Sequence, residues 1–106
     1  MKTLLIPYIT IGGHYDFGID VYNDKTDNIG ISVIYSQHGV HVEKYSPSVN
    51  SKEHEKWLVS KHVIGGDYQI YITFTDNDVY LSAFLLDDRG STTYVPFYEV
   101  PTQPGN

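Results

Sequence analysis

Residues 68–99 read YQIYITFTDNDVYLSAFLLDDRGSTTYVPFYE, and the alternation inside this stretch decides the fold class. Tyr68, Ile70, Ile72 and Phe74 alternate with Gln69, Tyr71, Thr73 and Thr75. Val79, Leu81, Ala83 and Leu85 alternate with Tyr80, Ser82, Phe84 and Leu86, and Val95 and Phe97 with Tyr94, Pro96 and Tyr98. Successive side chains leave a pleated strand on opposite sides, so a period of two marks strands with one buried face. Asp76-Asn77 suits a two-residue hairpin turn. Asp87-Asp88-Arg89-Gly90-Ser91 suits a longer turn, with Gly90 at a left-handed position. The expectation is a three-stranded meander over 68–99.

That meander carries a register. A two-residue turn pairs 75 with 78, which sets Thr73 opposite Tyr80, Tyr71 opposite Ser82 and Gln69 opposite Phe84. The next turn sets Phe84 opposite Tyr94, Ser82 opposite Pro96 and Tyr80 opposite Tyr98. One face then holds the aliphatic set. The other holds Tyr71, Tyr80, Phe84, Tyr94 and Tyr98, interleaved with Thr73, Ser82 and Pro96. A solvated sheet face carries Lys, Glu and Gln instead, and a contiguous apolar patch of this extent usually meets something. Candidate covers are the N-terminal strands or segment 51–62, a second copy of the chain, or a partner.

Further alternation lies upstream, in segments 3–11, 17–23, 29–36 and 39–45, with Gln37-His38-Gly39 as a tight turn. Segment 51–62 departs from it. Ser51 can cap a helix, Glu53 and Glu55 stand in its first turn, and Lys61 stands near its end. His54, Trp57, Leu58 and Lys61 then share one helical face. A competing alternation sets Trp57, Val59 and Val63 on one side, but the charge order favours a short helix. The whole predicts a mostly β chain, an antiparallel β-sandwich of about seven strands with one short helix near 51–62. The alternative is an α+β arrangement, one antiparallel sheet packed on that helix. Residues 1–100 form a single domain on this reading, and 101–106 a loose tail. Gly66-Asp67-Tyr68-Gln69-Ile70 resembles the start of a late strand in many immunoglobulin-like sandwiches, which implies a strand and no function.

With 106 residues, 41% apolar and 19% charged, the composition is globular. A formal net charge of -6 repels phosphate backbones and anionic membrane surfaces, so neither nucleic acid nor membrane is expected as a partner. Basic partners are favoured. The absence of cysteine excludes disulfides and thiolate chemistry. The start, Met1 to Ile6, has the apolar look of a signal peptide but breaks at Pro7-Tyr8 with no small-residue cleavage site. It reads as a first strand, and a cytoplasmic location is the expectation.

Chemical motifs are sparse. His38 and His41 are three apart, which on a strand aims them at opposite faces, so no metal site is read there. The acidic loops Asp24/Asp27, Asp76/Asp78 and Asp87/Asp88 lack the spaced ligand pattern of a calcium loop, and turn formation accounts for them. No nucleophile elbow and no phosphate-binding glycine loop occurs. No cofactor and no catalysis are expected. The ten tyrosines are the distinctive number, because tyrosine combines large area, a polar tip and few rotors. The leading expectation is a non-catalytic protein, of inhibitor or immunity type, that occupies a protein partner with a basic patch. Tyr71, Tyr80, Phe84, Tyr94 and Tyr98 would be its anchors, and Asp78, Asp87 and Asp88 would steer the encounter. A small lectin stacking sugar rings on the same face is the alternative, and a structural homo-oligomer the next.

Overall fold

The computed structural model describes residues 2–58, 64–74 and 79–100. Among them run ten strands and no helix: β1 Lys2–Ile11, β2 Tyr15–Asn23, β3 Ile29–Gln37, β4 Val40–Tyr45, β5 Ser48–Val49, β6 His54–Trp57, β7 Gly66–Phe74, β8 Val79–Asp87, β9 Thr92–Val95 and β10 Tyr98–Val100. Sheet A has the order β10-β1-β7-β3-β4, with β5 paired to the start of β3. Sheet B has the order β6-β2-β8-β9. Every pairing is antiparallel, and the two sheets pack as a β-sandwich. The strands expected from alternation are present. Residues 92–99 divide into β9 and β10, and β5 and β6 are additional short strands. No helix among the described residues is long and apolar enough to cross a membrane.

The three-stranded meander does not form. β7 lies in sheet A between β1 and β3, with Tyr71 opposite both Leu5 and Ile34. β8 lies in sheet B between β2 and β9. The pairs expected across a 75–78 turn are therefore not made, and the turn itself, Asp76-Asn77, lies outside the described residues. Of the expected register only the pairing around the second turn is found, with Phe84 opposite Tyr94. It ends at Val95, because Pro96 has no N–H to donate to a ladder. The chain then crosses to sheet A, where Tyr98 pairs with Leu5 and not with Tyr80.

The helix expected near 51–62 is absent over its described part. Ser51 does not cap a helix. Its N–H donates to Asn28 Oδ1 at 3.0 Å and its hydroxyl to the Lys25 carbonyl at 2.7 Å. Beside it, fully buried Asn23 places its Nδ2 near the carbonyls of Asp27, Val49 and Asn50, at 2.8, 3.2 and 3.2 Å. Its Oδ1 accepts the Lys25 N–H at 2.9 Å. These polar side chains satisfy loop backbone that a helix would otherwise satisfy itself. The chain leaves the knot extended, and β6 pairs Trp57 with Ile19 and His54 with Tyr22. Val59, Lys61 and Val63 lie outside the described residues.

The core is the meeting of two inner faces. Ile6, Val33, Ile70 and Ile72 line it from sheet A, and Phe17, Ile19, Val21 and Ala83 from sheet B. Tyr35 is its largest fully buried side chain and meets Tyr68 edge-on at 5.8 Å between centroids. That geometry suits the ring quadrupoles. Burial, reinforced by Tyr45, Glu43 and Tyr68, holds the Tyr35 phenol far above the ordinary tyrosine range.

A raised folded-state pKa contributes stability that is complete below the unfolded value of about 10 and is lost as pH rises toward the folded value. Stability should fall above pH ~10, and Tyr35→Phe should remove about 1.4 kcal/mol per pH unit of that decline. Urea unfolding of both proteins on either side of pH ~10 measures the difference. Parallel slopes would show that Tyr35 does not titrate in the unfolded chain alone.

Candidate functional site

The outer face of sheet B carries the candidate site. In β2 the residues alternating with Phe17, Ile19 and Val21 are Asp16, Gly18, Asp20 and Tyr22, and they point outward. Pairing arranges this face in rows across the strands. His54, Tyr22 and Tyr80 form one row, and Lys56, Asp20 and Ser82 the next. Gly18, Phe84 and Tyr94 form a third, and Asp16, Leu86 and Thr92 a fourth.

One glycine organises the aromatics. A Cβ at Gly18 would stand 2.3 Å from Phe84 Cζ, so the ring occupies the space that any side chain there would take. Phe84 is only 1% exposed although it lies on an outer face. Lys56 Nζ sits over its ring at 4.8 Å from the centroid, a cation–π contact. Around this sunken ring Tyr80 and Tyr94 stand 63% and 71% exposed. Tyr80 stacks on Tyr22 with centroids 6.3 Å apart and planes inclined by 24°.

The expected five-aromatic platform is thus divided. Tyr80, Phe84 and Tyr94 share the outer face of sheet B. Tyr98 is exposed on the outer face of sheet A, and Tyr71 is half-buried there beside His41, their centroids 6.4 Å apart. Alternation reports which face of its own strand a residue takes, not which sheet the strand joins. Phe84 is corrected in a second respect, since it is buried and offers no anchor to a partner.

The expected steering acids also differ. Asp87 is committed to its own turn. Its Oδ1 accepts the N–H groups of Arg89 and Ser91 at 2.9 and 2.8 Å, and Gly90 completes the turn at a φ of 85°. Asp88 is exposed, with Oδ2 at 2.8 Å from His14 Nδ1. Asp78 lies outside the described residues. The acids that sequence reasoning missed are Asp16 and Asp20, both outward on β2. Their signal was present in the Phe17/Ile19/Val21 alternation, which assigns the even-numbered residues to the opposite side.

His54 Nε2 contacts Asp20 Oδ1, and Ser82 stands opposite Asp20 on the next strand. The composition is that of a hydrolase triad, but the order is wrong. A triad needs histidine between serine and carboxylate. Here the carboxylate is in the middle, and His54 and Ser82 lie on β6 and β8, two strands apart and two residues out of line, a backbone separation of more than roughly 9.6 Å. The contact holds His54 against Asp20 on this face. An open depression of about 340 Å³ lies over Asp20, Tyr22, His54, Tyr80 and Ser82.

Fold and site together define an all-β sandwich with one aromatic and acidic outer face. Compared with protein-family models, curated proteins and solved structures, the chain matches none.

Gly18→Ala should force Phe84 out of its seat and destabilise the fold by about 1–3 kcal/mol, measured by urea unfolding. A neutral Gly18→Ala would mean that Phe84 is not held against this backbone.

Proposed function

We propose that this is a non-catalytic binding protein that occupies a protein partner bearing a basic patch, through the outer face of sheet B. An inhibitor or immunity-type protein is the concrete form. The observation that carries the reading is the exposure of Tyr80 and Tyr94 on the face that also holds the sunken Phe84. Exposed aromatics on a fixed sheet are a cost without a partner. With one they are hot-spot residues, because tyrosine buries large area and loses little rotamer freedom. Sheet scaffolding keeps both rings in place before binding, which lowers the ordering cost of association.

The charge supports a basic partner. Asp16 and Asp20 border the aromatics, Asp88 lies at the turn closing the same sheet, and the chain carries a net charge of -6. Such a field raises the association rate more than the affinity, and salt screens it. The mechanism is steric: the partner's functional surface is covered, and no bond is made or broken.

The test is affinity capture by the immobilised protein, followed by titration of each purified captured protein. Tyr80→Ala and Tyr94→Ala should each weaken the true partner by about 2 kcal/mol or more. Tyr98→Ala, on the opposite sheet, should leave it unchanged. Loss with Tyr98→Ala alone would move the interface to sheet A. A self-association that the Tyr80→Ala/Tyr94→Ala pair abolishes, seen by sedimentation, would assign the face to a second copy and contradict the proposal.

A further inference from the structure

At one end of sheet A, away from the Tyr80/Tyr94 face, the structure holds an open cavity of about 680 Å³. Pro7, Tyr8, Ser36, His38, Asp67 and Gln69 are among the residues that line it. Its volume lies within the usual range for small-molecule sites, roughly 300–1,000 Å³.

Three departures from regular sheet geometry meet at this end. The β1–β7 register shifts between Ile6 and Ile9, which takes Pro7 and Tyr8 out of the ladder and leaves Tyr8 67% exposed. The β3–β4 register shifts between Tyr35 and Ser36. The hairpin that follows turns through His38 and Gly39 at φ 53° and 79°, both left-handed, as a type I′ turn requires. Asparagine or glycine fills such a first position at less strain than histidine does. Bulges gather where a side chain is re-aimed for function, and local strain is commonest at ligand sites.

A fourth observation concerns Ser36, one of the lining residues. Ser36 is 1% exposed, and its hydroxyl has no hydrogen-bond partner among the described residues. Nearly every buried hydroxyl in a folded protein is satisfied, and this one, closed to solvent beside the cavity, can take a ligand partner only when the lining above it yields. Asp67 is anchored on one side only. Its Oδ1 accepts the Thr10 hydroxyl at 2.7 Å, and its carbonyl accepts Gln37 Nε2 at 3.1 Å. The second carboxylate oxygen takes no bond among the described residues.

The lining selects the ligand class. Among the described residues the lining contains no Lys or Arg, so an anionic headgroup or phosphate meets no counter-charge from them. The one carboxylate among them, Asp67, falls far short of the oxygens that calcium needs. Ser36, Gln69, His38 and Asp67 offer closely spaced donors and acceptors, and Tyr8 with Pro7 offers an apolar surface beside them. A hexopyranose has both properties, with hydroxyls around its rim and a C–H face that stacks on an aromatic ring. We infer that this cavity binds a neutral saccharide, with Tyr8 as the stacking platform and Ser36, Asp67 and Gln69 as hydroxyl partners. This site is separate from the outer face of sheet B and does not depend on the function proposed for it.

The test is amide NMR titration of the intact protein with glucose, galactose, mannose and N-acetylglucosamine, with glucose 6-phosphate and choline as charged controls. At least one neutral sugar should shift residues 8, 36–39 and 67–69 with a Kd of about 1 mM, typical of a single-ring contact, and leave Tyr80 and Tyr94 unmoved. Tyr8→Ala and Asp67→Asn should each weaken binding tenfold or more. Ser36→Ala should weaken it several-fold without lowering Tm, since it removes an unsatisfied hydroxyl. A Ser36→Ala variant that changes Tm and not affinity would reduce Ser36 to a packing role and overturn its assignment. Silence with all four sugars, or stronger shifts with choline or the sugar phosphate, would overturn the inference as a whole.

Discussion

Everything in this structure depends on one contact, the sealing of the inner face of sheet A against the inner face of sheet B. Ile70, Ile72 and Phe74 in β7 and Phe17, Ile19 and Val21 in β2 all face that seam and are almost wholly buried. Fully burying such a side chain contributes roughly 1.5–3 kcal/mol. Turning β7 over would expose three of them, at about 4.5–9 kcal/mol, comparable to the whole stability of a small domain. Parity along each strand is therefore fixed by the core, and the residues left outside are fixed with it. The aromatic and acidic face of sheet B is the other side of the same alternation.

Smaller devices then set what the outer faces present. Gly18 leaves room for the Phe84 ring on the neighbouring strand, while Tyr80 and Tyr94 stay exposed on the same face. Asn23 ties the 23–28 loop to the 49–53 turn, which delivers β6 to the edge of sheet B and brings His54 to Asp20. The bulges in β1 and at the β3–β4 pairing open the far end of sheet A around Ser36 and Asp67. A single packing constraint thus leaves two chemically different surfaces, one aromatic and acidic, the other a polar recess.

What could be read from the residues follows from the range of each signal. Alternation is local, so the longer strands, most of their inward sets, the His38-Gly39 turn and the Asp87–Ser91 turn were legible, as was the Phe84–Tyr94 pair across that turn; the short strands β5 and β6 were not, and in β4 the alternating Val40 and Val42 stand exposed. The partner of a strand is non-local. Ile70 and Ile72 point into the core equally well beside β8 or across from it, so the meander expected over 68–99 and the observed division between sheets share one pattern. Tyr98 changed faces for that reason, although Pro96 marked the place where the ladder had to stop. At 51–62, Ser51 and the following glutamates carry a true capping signal. It was overridden by Asn23 and Asn28, through bonds that span 27 and 23 residues of sequence. The aromatic character of a face was legible; which aromatics share it was not.

The central claim is this division of tyrosines between two opposite faces, and the absence of cysteine makes it directly measurable. Two double variants suffice, Leu5→Cys with Tyr98→Cys and Tyr80→Cys with Tyr98→Cys. Facing residues of an antiparallel ladder lie roughly 4.5–5.5 Å apart at Cα, within reach of a disulfide, whereas stacked sheets are about 10 Å apart. Under mild oxidation the Leu5/Tyr98 pair should close within the monomer and the Tyr80/Tyr98 pair should stay open. Closure of the Tyr80/Tyr98 pair would return Tyr98 to the β8 side and contradict the account.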